Sequence, residues 1–256
     1  MIKHIIKGIQ GYFNSLSLIN KLKLWKYFFV PIIISALTAT LIGFLAYGLS
    51  DNIGHFIAKI WIWEIGKETF TSFSTILGVI FVLAIGLVLY KHIIMAFSAP
   101  FMSPVSEKIE AYLSKDLCHQ HRKTNFSEQL ARGIRLNMRN LIKELLITIP
   151  LLFLKFIPGV NVFSTISLFL TQSYYAGFGN MDYTLERHYN YRDSVKFVNN
   201  HKGLAIGNGA IFMLFLLIPV IGVILVLPFS VTAASIKTIE IINKEKGLHQ
   251  HQNTLV

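Results

Sequence analysis

Phe156-Ile157-Pro158-Gly159-Val160-Asn161 and Leu217-Ile218-Pro219-Val220-Ile221-Gly222 each interrupt an apolar stretch of more than 30 residues, 145–181 in the first case and 204–236 in the second. Proline removes a helical hydrogen bond and biases the preceding residue away from helix, while glycine lets the chain reverse. Each stretch therefore reads as two helices joined by a tight turn. The leading arms are short: 145–157 reaches about 20 Å and 204–218 about 22 Å, against a hydrocarbon core of ~30 Å. Ile157, Val160, Ile218, Val220 and Ile221 make the turns too apolar to project far into water. The expectation is two helical hairpins that enter the membrane and turn back within it. Non-helical backbone at that depth must be buried in protein or line a cavity, and broken segments at corresponding positions point to a transport site.

Upstream, residues 27–49 form an uncharged run about 34 Å long as a helix, enough to cross the bilayer, with Pro31 expected near its first turn. A second uncharged run, 70–90, extends through Lys91 and His92 to about residue 98 and makes a second transmembrane helix. Ala99-Pro100-Phe101-Met102-Ser103-Pro104 is expected to end or kink it. Residues 1–26 carry five lysines and no acid, with Ile2, Ile5, Ile6, Ile9, Tyr12 and Phe13 at helical spacing. That pattern predicts an amphipathic segment lying on the membrane surface. Trp61 and Trp63, in the mixed loop 50–69, fit an interfacial aromatic belt. Residues 105–144 read as a cytoplasmic helical part and 237–256 as a tail. The fold class is an all-α integral membrane protein, in a single membrane domain: two transmembrane helices, two re-entrant hairpins and an amphipathic start.

Composition agrees. The 256 residues are 53% hydrophobic and only 14% charged, against roughly 25% charged in a typical soluble domain. The net charge of +11 is distributed as positive-inside bias, and no basic-aromatic module for nucleic acid is present. Lys and Arg number five before residue 27, two in 50–69, eight in 105–144, four in 182–203 and three after 236. Only the 50–69 loop is poor in them, so it belongs outside and both termini in the cytoplasm. A six-helix protein with two complete hairpins has the same sidedness. Helical spans also place the protein in an inner or plasma membrane, since outer membranes use barrels. No cleavable signal peptide is expected. Cys118 is the one cysteine, which excludes an intrachain disulfide, and Cys118-His119-Gln120-His121 reads as a solvated loop rather than a metal site. No cofactor and no catalytic, ATP-binding or metalloprotease motif is found, so an enzyme or ATP-driven pump is not expected.

Several polar residues are candidates for function. Lys155, one turn before Pro158, either faces a water-filled path or snorkels to the interface. Asn161 and Asn208 lie inside apolar runs; a pore would turn them, with Lys155, toward a common interior, whereas inter-helix hydrogen bonds serve them equally well. Arg132, Arg135, Arg139 and Lys143 share one helix face, either as a headgroup-facing stripe or as a vestibule that gathers anions. Glu107 and Glu110 are either solvated or structural ion-pair partners for Arg132, Arg135 or Arg139.

The sequence resembles the CysZ-type sulfate permease family, which shares a fold with etoposide-induced-protein homologues. The likeness covers roughly residues 8–236. Leu22-Lys23-Leu24-Trp25-Lys26 before Phe29-Val30-Pro31, Ala99-Pro100-Phe101 with Glu107-Lys108-Ile109-Glu110, and Phe156-Ile157-Pro158-Gly159 carry it. So do Met181-Asp182-Tyr183, Ile218-Pro219 and Leu227-Pro228-Phe229 before Ala233-Ala234. The resemblance implies two full transmembrane helices with two half-penetrating hairpins, homo-oligomeric assembly, and sulfate uptake feeding cysteine synthesis. It also implies an anion site at Lys23, Leu24, Trp25 and Lys26, which match the family's Gly-Leu-Arg-Arg-like stretch. Here Lys23 stands for the Gly, Trp25 for the first Arg and Lys26 for the second; Lys lacks the bidentate fork of Arg, and Lys23 restores the charge. The partners so implied are the lipid bilayer and sulfate or a similar small anion. The competing expectation is a non-transporting membrane protein whose hairpins wedge or organise lipid.

Overall fold

The structure, a computed structural model, describes residues 1–59, 67–114, 124–154, 157, 159–218 and 221–253. Trp61, Trp63, Cys118, His119, His121, Lys155, Pro158 and Pro219 lie outside them. Among the described residues every regular element is an α-helix: α1 (Ile2–Gln10), α2 (Ser15–Lys21), α3 (Trp25–Ala58), α4 (Lys67–Leu113), α5 (Phe126–Leu154), α6 (Asn161–Leu185), α7 (Tyr191–Asn200), α8 (Lys202–Leu216) and α9 (Ile221–Asn253). Among the described residues three helices are long and apolar enough to cross a membrane, with spans at Trp25–Leu49, Ile85–Leu113 and Leu225–Glu245. The first coincides with the run at 27–49. The second lies on α4 and overlaps the run at 70–98, and the third falls in the arm expected to be half of a hairpin.

The long helices override several local signals. Pro31 sits inside α3 rather than in its first turn, and α3 continues through Asp51 to Ala58. Pro100 and Pro104 neither end nor interrupt α4, which runs on to Leu113. Each internal proline costs about 3 kcal/mol, but Ala99, Met102, Val105 and Ile109 around them are fully or almost fully buried. Burying large side chains of this kind at about 1.5–3 kcal/mol each outweighs that cost. The basic stretch and the first hairpin arm are one continuous helix, α5.

Each broken stretch folds as an antiparallel helix pair, α5 with α6 and α8 with α9. In the first, Ser164 donates to the carbonyl of Leu151 near the tip, and Gly159 turns the chain with φ of 85°, a left-handed conformation that glycine adopts without strain. In the second, α8 ends at Leu216 and α9 begins at Ile221. The hairpins pack through α6 and α8: Gly177 lies against Ala205 and Gly209 against Ser173, so closely that a Cβ on either glycine would collide with backbone. Numbers rise along α6 as they fall along α8, so α5 and α8 run the same way and both tips lie at one end. Leu217 is 71% exposed there and Phe163 65%, while the opposite end holds Arg132, Asp182, Arg187 and Lys202.

The amphipathic start is two helices rather than one surface segment. α1 docks on α8, with Gly8 against the backbone of Leu204 and Asn208, and leaves Ile2 and Ile6 outward. α2 buries Leu18 and Ile19 in the main core with Leu24, Phe28, Ile94 and Val231.

Candidate functional site

The turn from α2 to α3 holds the four residues singled out as an anion site. The Lys23 N–H donates to the Asn20 carbonyl at 3.2 Å and the Leu24 N–H to that of Ile19 at 2.9 Å. Together these bonds form a Schellman cap, with Lys23 at its left-handed position and φ of 51°. Leu24 and Ile19, which flank that cap, are both fully buried, so Leu24 anchors the turn. Trp25 opens α3; its indole N–H donates to Asn20 Oδ1 at 2.7 Å, and its ring packs edge-on to Phe28 and Phe229. Lys26 is exposed. Its Nζ lies 5.2 Å from the centre of the Tyr27 ring, and Lys108 Nζ from α4 lies 5.7 Å from the same ring. Lys21 Nζ donates to the Tyr112 hydroxyl at 2.6 Å. Cations from α2, α3 and α4 thus gather at the start of α3, where the first N–H groups of a helix lack intrahelical acceptors and the helix dipole is positive.

The ion-pair candidates are sorted differently from the sequence expectation. Glu110, buried, pairs with Arg187 at 2.9 Å and with His188 at 2.7 Å. Arg132 grips Asp182 with two bonds, Nε to Oδ2 at 2.9 Å and Nη2 to Oδ1 at 2.7 Å, and also donates to the Tyr189 carbonyl and Ser194 Oγ. Arg135 lies over the Tyr191 ring and Arg139 over that of Phe178. Glu107 is exposed. Neither Glu107 nor Glu110 is joined to Arg132, Arg135 or Arg139, because the α6–α7 connection, with Arg187 and His188, reaches Glu110 first. Ser103 Oγ donates to Glu186, a carboxyl pushed up to about 7 by burial, against the pull of that hydroxyl and of Arg132 and Arg187.

Of the path candidates, Asn161 and Asn208 lie apart. Lys155 is outside the described residues. Asn161, exposed, opens α6. Asn208 is buried, accepting from Asn180 Nδ2 at 2.8 Å and donating to the Ser230 carbonyl at 3.0 Å. Tyr12 Oη donates to the Asn208 carbonyl at 2.8 Å and lies 2.7 Å from Ser230 Oγ. Asn180 stands 19 residues along α6 from Asn161, about 28 Å. Asn208 is therefore an inter-helix hydrogen-bond centre at the base of the hairpins.

The sequence reading missed a buried triad. Lys91 Nζ lies 2.6 Å from Glu144 Oε1, and His92 Nε2 lies 3.1 Å from Glu144 Oε2. The signal was a lysine and a histidine inside an apolar run; its partner, Glu144, lay on the basic stretch 53 residues away.

The fold and this charge placement define an all-helical membrane protein built on paired helical hairpins. The chain belongs to the family described as Sulfate transporter CysZ/Etoposide-induced protein 2.4, whose model matches residues 12–227. No curated protein matches the chain.

Proposed function

We propose that the protein conducts a small oxyanion, sulfate above others, across an inner or plasma membrane by a channel or secondary-transport mechanism without ATP hydrolysis. The observation that carries this reading is the gathering of Lys21, Lys26 and Lys108 about the start of α3, with Lys23 in the turn just before it. A doubly charged oxyanion suits such a site, because lysine ammonium groups and backbone N–H donors satisfy it together. Sulfate taken up this way feeds cysteine synthesis, the protein works as a homo-oligomer, and both termini are cytoplasmic. The hairpins are re-entrant in this reading. Their exposed apolar tips at one end, their charged base at the other, and a leading arm α8 of 15 residues, about 22 Å long, all support it.

The exposed tips also favour a second reading, in which the hairpins wedge lipid and no anion passes. Equilibrium binding of radiolabelled sulfate to the purified protein separates the two. The proposal expects saturable binding that chloride does not displace. Losing two charge-assisted contacts in Lys26→Ala/Lys108→Ala should weaken it at least ~100-fold. Sulfate binding that is absent, or unchanged in the variant, overturns it.

A further inference from the structure

A cleft of about 380 Å³ opens on the outer side of the first hairpin, between α5, α6 and α8. Three cations line it, Arg139 and Lys143 from α5 and Lys202 from α8, and no carboxylate does among the described residues. Glu144, next in sequence, turns the other way and is held by Lys91 and His92. The contrast with the neighbouring cleft is clear: Arg132 and Arg135 share that one with Glu128 and Glu186. Tyr174, in the wall, donates from its hydroxyl to Asn199 Oδ1 at 2.8 Å, which fixes the ring edge between α6 and α7.

The lining is graded along the hairpin. Ile147, Leu170 and Ile206 are its aliphatic members, beside Thr171 and Tyr175, and each is displaced from the cations toward the tips: Ile147 beyond Lys143 on α5, Leu170 beyond Tyr174 on α6, Ile206 beyond Lys202 on α8. Ile147 is 42% exposed and Leu170 38%, so this apolar end of the cleft is open at the surface. A cationic mouth at the charged base, running into an apolar floor toward the inserted tips, matches the polarity of one phospholipid molecule. Basic pockets between membrane helices on the cytoplasmic side select anionic headgroups in this way.

We propose that this cleft seats an anionic phospholipid, with its phosphate among Arg139, Lys143 and Lys202 and an acyl chain along Ile147, Leu170 and Ile206. The site is separate from the α2–α3 turn and does not depend on sulfate transport. The test uses the full chain in phosphatidylcholine vesicles doped with a photoactivatable phosphatidylglycerol or the matching phosphatidylcholine probe, with crosslinked peptides mapped by mass spectrometry. The expected result is labelling of α5, α6 and α8 that favours phosphatidylglycerol about fivefold or more, the scale of one cation at a charged headgroup. Lys143→Gln/Lys202→Gln should bring the preference close to one, and Lys143→Arg/Lys202→Arg should keep it. Lys3→Gln/Lys7→Gln, which removes equal charge elsewhere, should also keep it. Thermal unfolding of each variant checks that the fold is intact. A preference that survives the Gln pair, or falls equally in the Lys3/Lys7 control, overturns the proposal. Labelling abolished by millimolar inorganic phosphate would assign the cleft to a free anion instead.

Discussion

Lys23 occupies a backbone conformation that costs a residue with a Cβ about 1–2 kcal/mol. Its φ of 51° is required by the Schellman cap that ends α2. Lys23→Gly removes that strain and makes the unfolded chain more disordered, which returns about 0.4–1 kcal/mol. The net gain is about 0.5–1 kcal/mol, or about 1–4 °C in melting temperature for a chain of this size. Lys23→Ala removes the same charge but keeps the strain, so it should gain nothing. The assay is thermal unfolding in detergent, with sulfate binding measured on the same samples. Both variants should bind sulfate more weakly than the parent, and only the glycine variant should melt higher. A glycine variant that melts at or below the parent would refute the reasoning about this turn, whatever the binding result.

The buried triad should respond asymmetrically. Glu144→Gln strands Lys91 without its counter-ion and should cost about 3–5 kcal/mol, whereas Lys91→Met/Glu144→Leu should recover most of it in the same unfolding measurement. Gly209→Ala should destabilise by about 1–3 kcal/mol, because its methyl group meets the Ser173 backbone and forces α6 and α8 apart. Glu186 ionises near 4.5 when solvated and near 7 in the fold. Between those values the folded protein keeps a proton that the unfolded chain has lost. Stability should therefore fall as pH rises through that window, by up to about 3 kcal/mol, and Glu186→Gln should flatten melting temperature against pH.

The helical class and the two broken stretches were legible because proline-glycine turns inside apolar runs leave few alternatives. Helix limits were not, since Pro31, Pro100 and Pro104 were judged by their local cost, while tertiary burial around α3 and α4 settled the matter. The site was half visible. Lys23 and Lys26 stood out as charges before an apolar run, but Lys108 of α4 lies beside Tyr27 only after the long helices fold together. The spacing left Glu110 either solvated or an ion-pair partner; that it is buried and reached by Arg187 rather than Arg132 depends on the bend after α6, which no spacing encodes. Lys91 and Glu144 show the same limit: the lysine is out of place in its apolar run, but only the fold names its partner.

The most direct test of the central claim is radiolabelled sulfate uptake into liposomes holding the purified protein, beside a Lys23→Ala/Lys26→Ala variant shown to be folded and inserted. An oxyanion path that begins at the α2–α3 turn predicts saturable uptake by the parent and its loss in the variant. Parent uptake no greater than that of empty liposomes would contradict the sulfate reading, and equal uptake by both proteins would contradict the placing of the entry site at these lysines.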